Sequence, residues 1–210
     1  MTKMSTSSRA PRTRLRRTSE GAQDNILAAA EKILVESGPQ NLKLVEVARR
    51  AGVVNATVLH HFGSIDGVQA ALMTCMIADL VSRILAVTDQ VTDPAAFATQ
   101  STEALFDAFE AKPVARLAAW LELTGESRRL TTVREAVRSV LSTRMVEQTG
   151  MPVAVVEDFI LLCLSMALGV GLFGGTLGSL LGRPESRARD MALAILQRRV
   201  DEATLALKGG

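Results

Sequence analysis

The chain has 210 residues, of which 48% are apolar and only 3% are aromatic, and it contains no Tyr. That length and apolar content suit one large or two small domains with a sizeable core, and the abundance of Ala and Leu favours helices over strands. The net charge of +2 hides an asymmetry, since residues 1–62 carry 10 Lys or Arg against 5 Asp or Glu and residues 63–210 carry 14 against 17. A polyanionic partner is therefore expected for the first part only.

Several classes of protein are disfavoured at once. Cys75 and Cys163 lie far apart in apolar stretches, which predicts buried thiols of a cytosolic protein and neither a disulfide framework nor a metal site. The basic N-terminus is not followed by an apolar run, so no signal peptide is expected, and an organellar transit peptide is the lesser alternative. The only histidines, His60 and His61, are adjacent, and no Ser or Cys has a base nearby in sequence, so neither an enzyme nor a cofactor is expected.

Residues 1–18 come first and hold six basic side chains and no acid, which predicts a disordered arm. Such an arm neutralises phosphates or enters a minor groove next to a helix that reads the major groove. A solvated tail is the alternative interpretation. The candidate DNA contacts in the arm are Arg12, Arg14, Arg16 and Arg17.

A compact unit of three helices is predicted over residues 19–65. The first helix runs from about Ser19 to Ser37 with Gly38 as its stop. The stretch from Leu42 to Phe62 then reads as two short helices joined by a tight turn at Gly52, which is a helix-turn-helix. In the second of these helices Val58 and Phe62 face inward, and the polar outer face is suited to base edges in a major groove. Its candidate contacts are Asn55, Thr57, His60 and His61.

The run NILAAAEKILVESGPQNLKLVEVARRAGVVNATVLHHFGSIDGVQAAL resembles the N-terminal domain of the TetR family of one-component transcriptional regulators. The matching features are the Ile-Leu-x-Ala-Ala of the first helix, the turn Ala51-Gly52-Val53, and Thr57, His61-Phe62 and Ser64. The resemblance implies an all-α fold of about nine helices, with a helical ligand-binding and dimerisation domain over residues 66–210. In that family the last two long helices pair with their symmetry mates, and small residues such as Gly169, Ala188 and Ala192 would permit close contact.

Four positions depart from the family pattern. Lys43 stands where Ser or Thr usually opens the second helix, and Val54 replaces the Ser after Ala-Gly-Val. Leu59 replaces a Tyr, and Ile65 replaces the Lys that follows Ser64. Since neutral phosphate donors are lost, DNA binding is expected to depend on the arm, on Lys43 as a further DNA contact, and on Arg49 and Arg50.

The body is predicted to be helical throughout. Asp66 caps a long helix to about Thr88, and Asp93-Pro94 starts the next, which ends near Lys112. A further helix stops near Gly125, and Thr132-x-x-Glu135 forms a capping box before another. Pro184 opens the last helix.

Residues 159–182 are uncharged. By length they suit a membrane span, so a membrane-associated helical protein is one alternative. The favoured interpretation is a helix from Pro152 to about Leu172, buried against its own domain and a partner subunit, followed by a loop with a helix end over Phe173 to Gly182.

The sequence therefore predicts a cytoplasmic, homodimeric repressor that binds a palindromic DNA operator and is released by a small effector, with no membrane contact. An effector-independent DNA-binding protein is the remaining alternative. Apolar and sulfur-containing side chains of the middle helices predict a hydrophobic effector, although such residues are usually plain core. Acidic Glu103, Asp107 and Glu122 would instead recognise a cation if they faced inward. The candidate ligand contacts are Met76, Phe106, Phe109, Trp120, Phe159, Cys163 and Met166.

Overall fold

The computed structural model describes residues 12–111, 113–126 and 143–208, with side chains for residues 21–110, 113–126 and 143–206. These residues form α-helices, a 3₁₀ turn at Pro39–Asn41 and no strand, which confirms the predicted all-α fold. The described helices are α1 (Arg12–Ser37), α2 (Leu44–Ala51), α3 (Asn55–Phe62), α4 (Ile65–Thr88), α5 (Pro94–Ala111), α6 (Val114–Leu123), α7 (Thr143–Thr149), α8 (Val153–Leu180) and α9 (Arg187–Lys208). The predicted capping box at Thr132 lies outside the described residues.

Helix α1 begins at Arg12, seven residues before the predicted start at Ser19. The disorder predicted for residues 12–18 is therefore wrong, because Arg and Leu are good helix formers and a helix already nucleated extends at little cost. The arm's four arginines consequently lie on the first turns of α1, although their side chains are outside the described part of the chain.

Helices α1 to α3 pack as the compact unit that the apolar spacing predicts. Ile26, Ile33 and Leu34 of α1 are at most 1% exposed, and Val47 of α2 and Val58 of α3 are fully buried against them. The same apolar cluster continues into the body through α4, α5, α6 and α8. The three-helix unit and the body thus share one core, which couples their positions mechanically.

The start of α4 differs in its cap from the prediction. Ser64 caps the helix, its Oγ accepting a 3.0 Å hydrogen bond from the backbone N–H of Gly67, so the prediction that Asp66 caps it is wrong. Ser64 has the extended backbone of an N-cap, whereas Asp66 already lies inside the first turn. Farther along α4 the predicted apolar face is buried except at Cys75, which is exposed and corrects the prediction of a buried thiol.

Helix α5 begins as the sequence predicts. Asp93 Oδ2 accepts a 2.8 Å hydrogen bond from the N–H of Ala96, and Pro94 is the first residue of the helix. Phe97 and Phe106 are 1% exposed, so the aromatic face of α5 lies in the core. Helix α6 likewise ends before Gly125, whose φ of +74° is the left-handed conformation that glycine adopts readily.

Helix α8 is longer than predicted. It runs from Val153 to Leu180 through a π-helical turn at Val170–Gly174, so the loop predicted from Phe173 onward is wrong. Its glycines are needed for packing: a Cβ on Gly174 would lie 3.3 Å from that of Ala188, and one on Gly178 would lie 2.8 Å from the carbonyl oxygen of Pro184. Close approach of the last helix offsets the propensity cost that made a loop the better prediction.

The outer face of α8 is exposed within the single chain. Val156, Cys163 and Ala167 are buried on one side of the helix, whereas Leu161 is 64% exposed and Phe173 58% exposed on the other. The burial of α8 against its own domain agrees with the prediction. The predicted burial against a partner subunit is not tested by a single chain. The second cover would have to come from outside the described chain.

Two of the small residues predicted to contact a partner instead pack inside the chain. Ala192 is 5% exposed and belongs to the main core, and Ala188 lies against Gly174. Gly169 is exposed and has open space around it. The outward surface of α9 is formed by Met191 and Ile195, which are 50% and 45% exposed.

By length and composition alone, α4 and α8 are long and apolar enough to cross a membrane. Core helices of proteins that never meet a membrane also satisfy this criterion. Helix α4 packs against α1, α5 and α6, so its apolar face is accounted for inside the protein. Helix α8 is less buried than α4.

Candidate nucleic-acid interface and internal cavity

The turn between α2 and α3 has the geometry of a helix-turn-helix. Gly52 adopts the left-handed conformation at φ 68° and ψ 29° and ends α2. The N–H of Val53 donates to the carbonyl oxygen of Ala48 at 3.0 Å, and that of Gly52 donates to Arg49, which together make a Schellman motif. A residue with a Cβ would be strained at position 52, so this glycine fixes the angle between α2 and α3.

A contact that the sequence did not reveal ties this turn to α1. Asn25 Nδ2 donates a 2.6 Å hydrogen bond to the carbonyl oxygen of Ala51, the last residue of α2. The two residues are 26 positions apart, so no local pattern predicts the pair. The bond pairs a carbonyl at the end of α2 that has no partner within its own helix.

The four α3 side chains predicted to contact DNA differ in exposure. Asn55 and His60 are exposed, whereas Thr57 and His61 are half-buried. The rings of His60 and His61 meet edge to face, with centroids 5.3 Å apart. Leu59 beside them is 43% exposed, so the accessible surface of α3 combines polar donors with one apolar side chain. Such a surface can read both base-edge polar groups and a thymine methyl group.

Both helices of the helix-turn-helix begin without a side-chain cap. Lys43 and Val54 are the N-cap residues, both have extended backbone, and neither side chain accepts a hydrogen bond from the first turn. The first N–H groups of α2 and α3 are thus left without a side-chain acceptor, and they lie at the positive ends of the helix dipoles. An anion such as a phosphate is the natural partner of such a helix start.

The two arginines expected to add positive charge to this surface are largely engaged. Arg49 pairs with Glu46 through Nε at 2.9 Å and Nη2, and Arg50 Nη1 lies 2.6 Å from Glu36 of α1. The hydrogen bond from Arg49, with a second from Arg50, lowers the pKa of Glu46 to about 2. Because both arginines are paired with carboxylates, they contribute less free charge than the sequence suggests. Lys43 is exposed and forms no ion pair among the described residues.

A second contact missed by the sequence joins the body to the DNA unit. Arg116 of α6 donates from Nη2 to the carbonyl oxygen of Val35 at 3.2 Å, and Leu34 lies within 3.5 Å of the same nitrogen. These carbonyls are at the C-terminal end of α1, where a cation is favoured by the helix dipole. Any shift of α6 is thereby transmitted to the last turn of α1.

A cavity of about 40 Å³, partly open to solvent, lies between α4, α5, α7 and α8. Its wall is almost entirely apolar, and the described residues that line it include no Asp or Glu. Two polar atoms of the wall, Ser101 Oγ and Arg144 Nε, are buried with no hydrogen-bond partner. The lining side chains are Ile84, Leu85, Phe97, Ser101, Thr102, Leu105, Arg144, Met145, Phe159, Ile160, Cys163 and Leu164.

Two of the seven predicted ligand contacts, Phe159 and Cys163, line this cavity. Phe159 also lines a wider groove of about 560 Å³ between α5, α7, α8 and α9. The other five lie elsewhere: Met76, Phe106 and Phe109 are buried in the main core, Met166 packs against it, and Trp120 is half-buried on α6. Burial among apolar neighbours accounts for the spacing of Met76 and Phe106, whereas Phe109 also lines a separate surface pocket of about 490 Å³.

The cation-binding alternative does not fit the positions of its carboxylates. Glu103, Asp107 and Glu122 are all exposed, and Asp107 is paired with Arg189 of α9, which also contacts Glu110. Among the described residues, no cluster of three His, Cys, Asp or Glu side chains is arranged to hold a metal ion.

The sequence contains only a weak indication of the cavity residues that were not predicted from it. Phe97, Ser101 and Leu105 recur every four residues on α5, which places Ser101 on the buried face. A polar residue on such a face is a candidate pocket residue. Arg144 had no comparable signal, because its neighbours in sequence give no period that points it inward.

Residues 26–72 match the family model of the bacterial regulatory proteins of the tetR family. No curated protein matches the sequence. Among solved structures, a transcriptional regulator from Rhodococcus sp. Rha1 is 25% identical with a TM-score of 0.64, covering 85% of this chain and 95% of that one. A TetR variant from Acinetobacter baumannii AYE in complex with minocycline is 17% identical with a TM-score of 0.62, covering 88% and 95%.

A TetR-family regulator from Pectobacterium atrosepticum is 18% identical with a TM-score of 0.64, covering 92% of this chain and 96% of that one. The similarity therefore spans nearly the whole of each protein, and the fold of the described residues is that of TetR-family transcriptional regulators.

Proposed function

We propose that this TetR-family chain is a transcriptional repressor that binds a palindromic operator as a homodimer and leaves it when a small hydrophobic effector enters the body. The observation that supports this most directly is the helix-turn-helix of α2 and α3, set by Gly52 and contained in the match at residues 26–72. Two such units related by a twofold axis would place α3 in successive major grooves.

The exposed side chains of α3 are suited to base contacts. Asn55 at its first turn is exposed and carries the amide that pairs with both polar atoms of an adenine edge. His60 and Leu59 extend the same surface toward the C-terminal end of the helix. Thr57 and His61, which are half-buried, are better placed for the DNA backbone at the margin of α3.

The arm supplies charge that the helix-turn-helix lacks. Arg49 and Arg50 are paired with carboxylates, so we assign the further positive charge that DNA binding needs to Lys43 and to the four arginines of the arm. Because α1 begins at Arg12, the arm's arginines are carried on a helix rather than on a loose tail. Each phosphate they neutralise steepens the dependence of log K on log salt concentration by about 0.9.

The body is proposed to hold two copies together through α8 and α9. Several large apolar side chains are exposed on these two helices, among them Leu161, Phe173 and Ile195, and exposed apolar side chains grouped in this way mark interaction surfaces. A second copy of the same surface covers it, as a twofold interface requires. This interpretation leaves the chain in the cytoplasm.

Effector release is proposed to act through the contacts between body and DNA unit. The main core runs without interruption from α1 to α8, and Arg116 of α6 holds the end of α1. A ligand that binds more tightly to an arrangement of α4, α5 and α6 that does not fit DNA shifts the population toward that arrangement. The size of the shift is limited by the difference between the affinities of the ligand for the two arrangements.

The proposal is tested by fluorescence anisotropy of a labelled duplex from the gene's own upstream region, titrated at two salt concentrations. The full chain is compared with a variant in which Arg12, Arg14, Arg16 and Arg17 are replaced by Gln, a residue of similar helix propensity. We expect nanomolar binding by the full chain and a salt slope reduced by about two to four units in the variant.

Two controls define the result. Replacing exposed Arg83 and Arg183 of the body by Gln removes positive charge outside α1 to α3 and outside the proposed interface helices α8 and α9, and should leave the slope unchanged. Asn55→Ala should weaken the specific duplex by roughly tenfold or more and leave a scrambled duplex unaffected. Absence of any preference for the upstream duplex would contradict DNA recognition, and a detergent-extracted membrane pool would favour the alternative that α8 enters a bilayer.

A further inference from the structure

We infer that the cavity between α4, α5, α7 and α8 binds a small apolar monocarboxylate, with Arg144 and Ser101 holding the carboxylate and the apolar wall holding a slender hydrocarbon body. The inference deepens the proposed function, on which it rests for the role of the cavity as an effector site. Its argument depends on the two buried polar atoms of the wall that lack partners.

Ser101 is the first of these. It is 91% buried on α5, since its residual exposure is 9%, and its Oγ has no hydrogen-bond partner. The neighbouring Thr99 and Thr102 behave differently, because each donates to the carbonyl oxygen four residues earlier, at 2.8 Å in both cases. Ser101 makes no such bond although it is in the same helix, so its hydroxyl is available to a molecule in the cavity.

Arg144 is the second. Its Nε is buried without a partner at the cavity wall, and no described Asp or Glu lines that wall. Arg144 is half-buried and its guanidinium keeps its proton at physiological pH, so an anion in the cavity would satisfy the buried Nε–H. The planar arrangement of its N–H groups matches a carboxylate, which accepts two parallel hydrogen bonds.

The other wall atoms define the rest of the ligand. Apart from Arg144, Ser101, Thr102 and Cys163, the described lining residues are aliphatic, aromatic or methionine side chains. Thr102 already donates to Ala98 and lies 3.9 Å from Cys163 Sγ, and burial raises the pKa of Cys163 to about 11, so its thiol is neutral. Among the described lining residues Arg144 is the one cation, which makes a singly charged carboxylate a better match than a phosphate monoester.

The size of the cavity limits the hydrocarbon body. A volume of about 40 Å³ leaves no room for a fused-ring molecule unless the helices separate. An unbranched chain displaces the surrounding side chains least, and Met145 and Leu164 can adjust their rotamers to admit it. Medium-length linear acids are therefore the favoured class.

The test measures binding of octanoate to the full-length protein by isothermal titration calorimetry without DNA. 1-Octanol and octylamine serve as matched probes, since they have the same chain with no charge and with the opposite charge. We expect octanoate to bind at least tenfold more tightly than 1-octanol, and octylamine to show no binding at the same concentrations.

Variants separate the cavity from the exposed apolar face of α8, which also attracts fatty acids. Arg144→Gln should weaken octanoate at least tenfold and leave 1-octanol within twofold, whereas Arg144→Lys, which keeps the charge, should lose less. Ser101→Ala should weaken octanoate severalfold. Arg198→Gln, on the exposed side of α9, is the matched control and should change nothing. Equal affinity for octanoate and octanol, or octanoate binding that is unaffected by Arg144→Gln, would overturn the inference.

A parallel anisotropy titration of the upstream duplex with and without octanoate distinguishes this inference from the proposed function. Octanoate binding that requires Arg144 but leaves DNA affinity unchanged would uphold the carboxylate site and contradict its role in release. Specific DNA binding by a protein that takes up no octanoate would uphold the DNA-binding function and overturn the carboxylate site.

Discussion

The three-helix unit at the N-terminus and the layer of α8 and α9 differ in how far their apolar side chains are buried. In the first, Ile26, Leu34 and Val58 are completely buried inside the chain. In the second, Leu161 and Phe173 stay more than half exposed on a helix that is nearly all apolar. The first surface is complete without a partner and presents polar groups outward, whereas the second needs a cover. In the proposed function, the first of these surfaces contacts DNA and the second contacts a copy of the chain.

The largest effect should follow from charging the second surface. Leu161→Glu and Leu177→Glu, at side chains 64% and 52% exposed, place carboxylates on the proposed interface without disturbing the buried face of α8. We expect monomers by analytical ultracentrifugation and a loss of operator affinity of at least a hundredfold, because two linked half-site contacts become independent.

The matched control for that pair is Leu123→Glu at the end of α6. Leu123 is 86% exposed but lies outside α8 and α9, so this variant should remain dimeric and bind DNA normally. A dimer that survives both α8 substitutions would show that the partner covers some other surface.

The next effect is in the N-terminal unit, where close packing leaves no room for a methyl group. A Cβ on Gly67 would lie 2.0 Å from the carbonyl oxygen of Phe62, which forces α4 away from the end of α3. Gly67→Ala should destabilise the fold by about 2 kcal/mol or more and reduce DNA binding, because the position of α3 depends on α4.

Gly21 provides the comparison within the same unit. A Cβ there meets nothing within 4 Å, and the residue lies within α1. Gly21→Ala should therefore stabilise the protein by about 0.5–1 kcal/mol. Urea denaturation followed by circular dichroism measures both variants, and destabilisation of similar size by the two would contradict the packing account.

The same contrast explains what the sequence could predict. The N-terminal unit is marked by local signals, namely the spacing of Ile26, Ala30 and Ile33, the glycine at position 52 and the Asp93-Pro94 start of α5 farther along. These features depend on residues within a few positions of each other, so they are visible in the sequence.

The features that the sequence missed depend on tertiary contacts. The helical course of α8 beyond Phe173 depends on the close approach of Ala188, and the cavity depends on four helices meeting around Ser101. Both Ser64 and Asp66 are residue types that commonly cap helices, and the extended backbone at Ser64 identifies it as the N-cap of α4. Neither spacing nor propensity carries such information.

A smaller effect should follow from cutting the tie between α1 and the helix-turn-helix. Asn25→Ala removes the 2.6 Å hydrogen bond to the carbonyl oxygen of Ala51 and should cost about 1 kcal/mol. Asn41→Ala removes a bond of similar length, 2.7 Å, to Ser37 within one exposed turn, and should cost no more than about 0.5 kcal/mol.

The two asparagine variants are also compared for operator affinity. Asn25 holds the end of α2 that orients α3, so its loss should weaken DNA binding severalfold, whereas the loss of Asn41 should leave it unchanged. An Asn41 variant that loses as much affinity as the Asn25 variant would mean that the long-range bond has no special role in placing the helix-turn-helix.

The smallest effect concerns the two thiols, one in each environment. Burial raises the pKa of Cys163 to about 11, whereas Cys75 is exposed, with a pKa raised by partial burial and then by the nearby Asp24 and Glu31. At pH 8 a thiol-specific disulfide reagent should therefore modify Cys75 in the folded protein and reach Cys163 only after denaturation.

The buried thiol also predicts how stability depends on pH. Because the fold favours the neutral Cys163 thiol, its contribution to the free energy of unfolding is present below pH 9 and is lost as the pH rises through about 11. Cys163→Ala should remove that alkaline dependence, and Cys75→Ala should leave it unchanged. Rapid modification of both thiols in the native protein would show that the wall of the cavity opens far more readily than its packing implies.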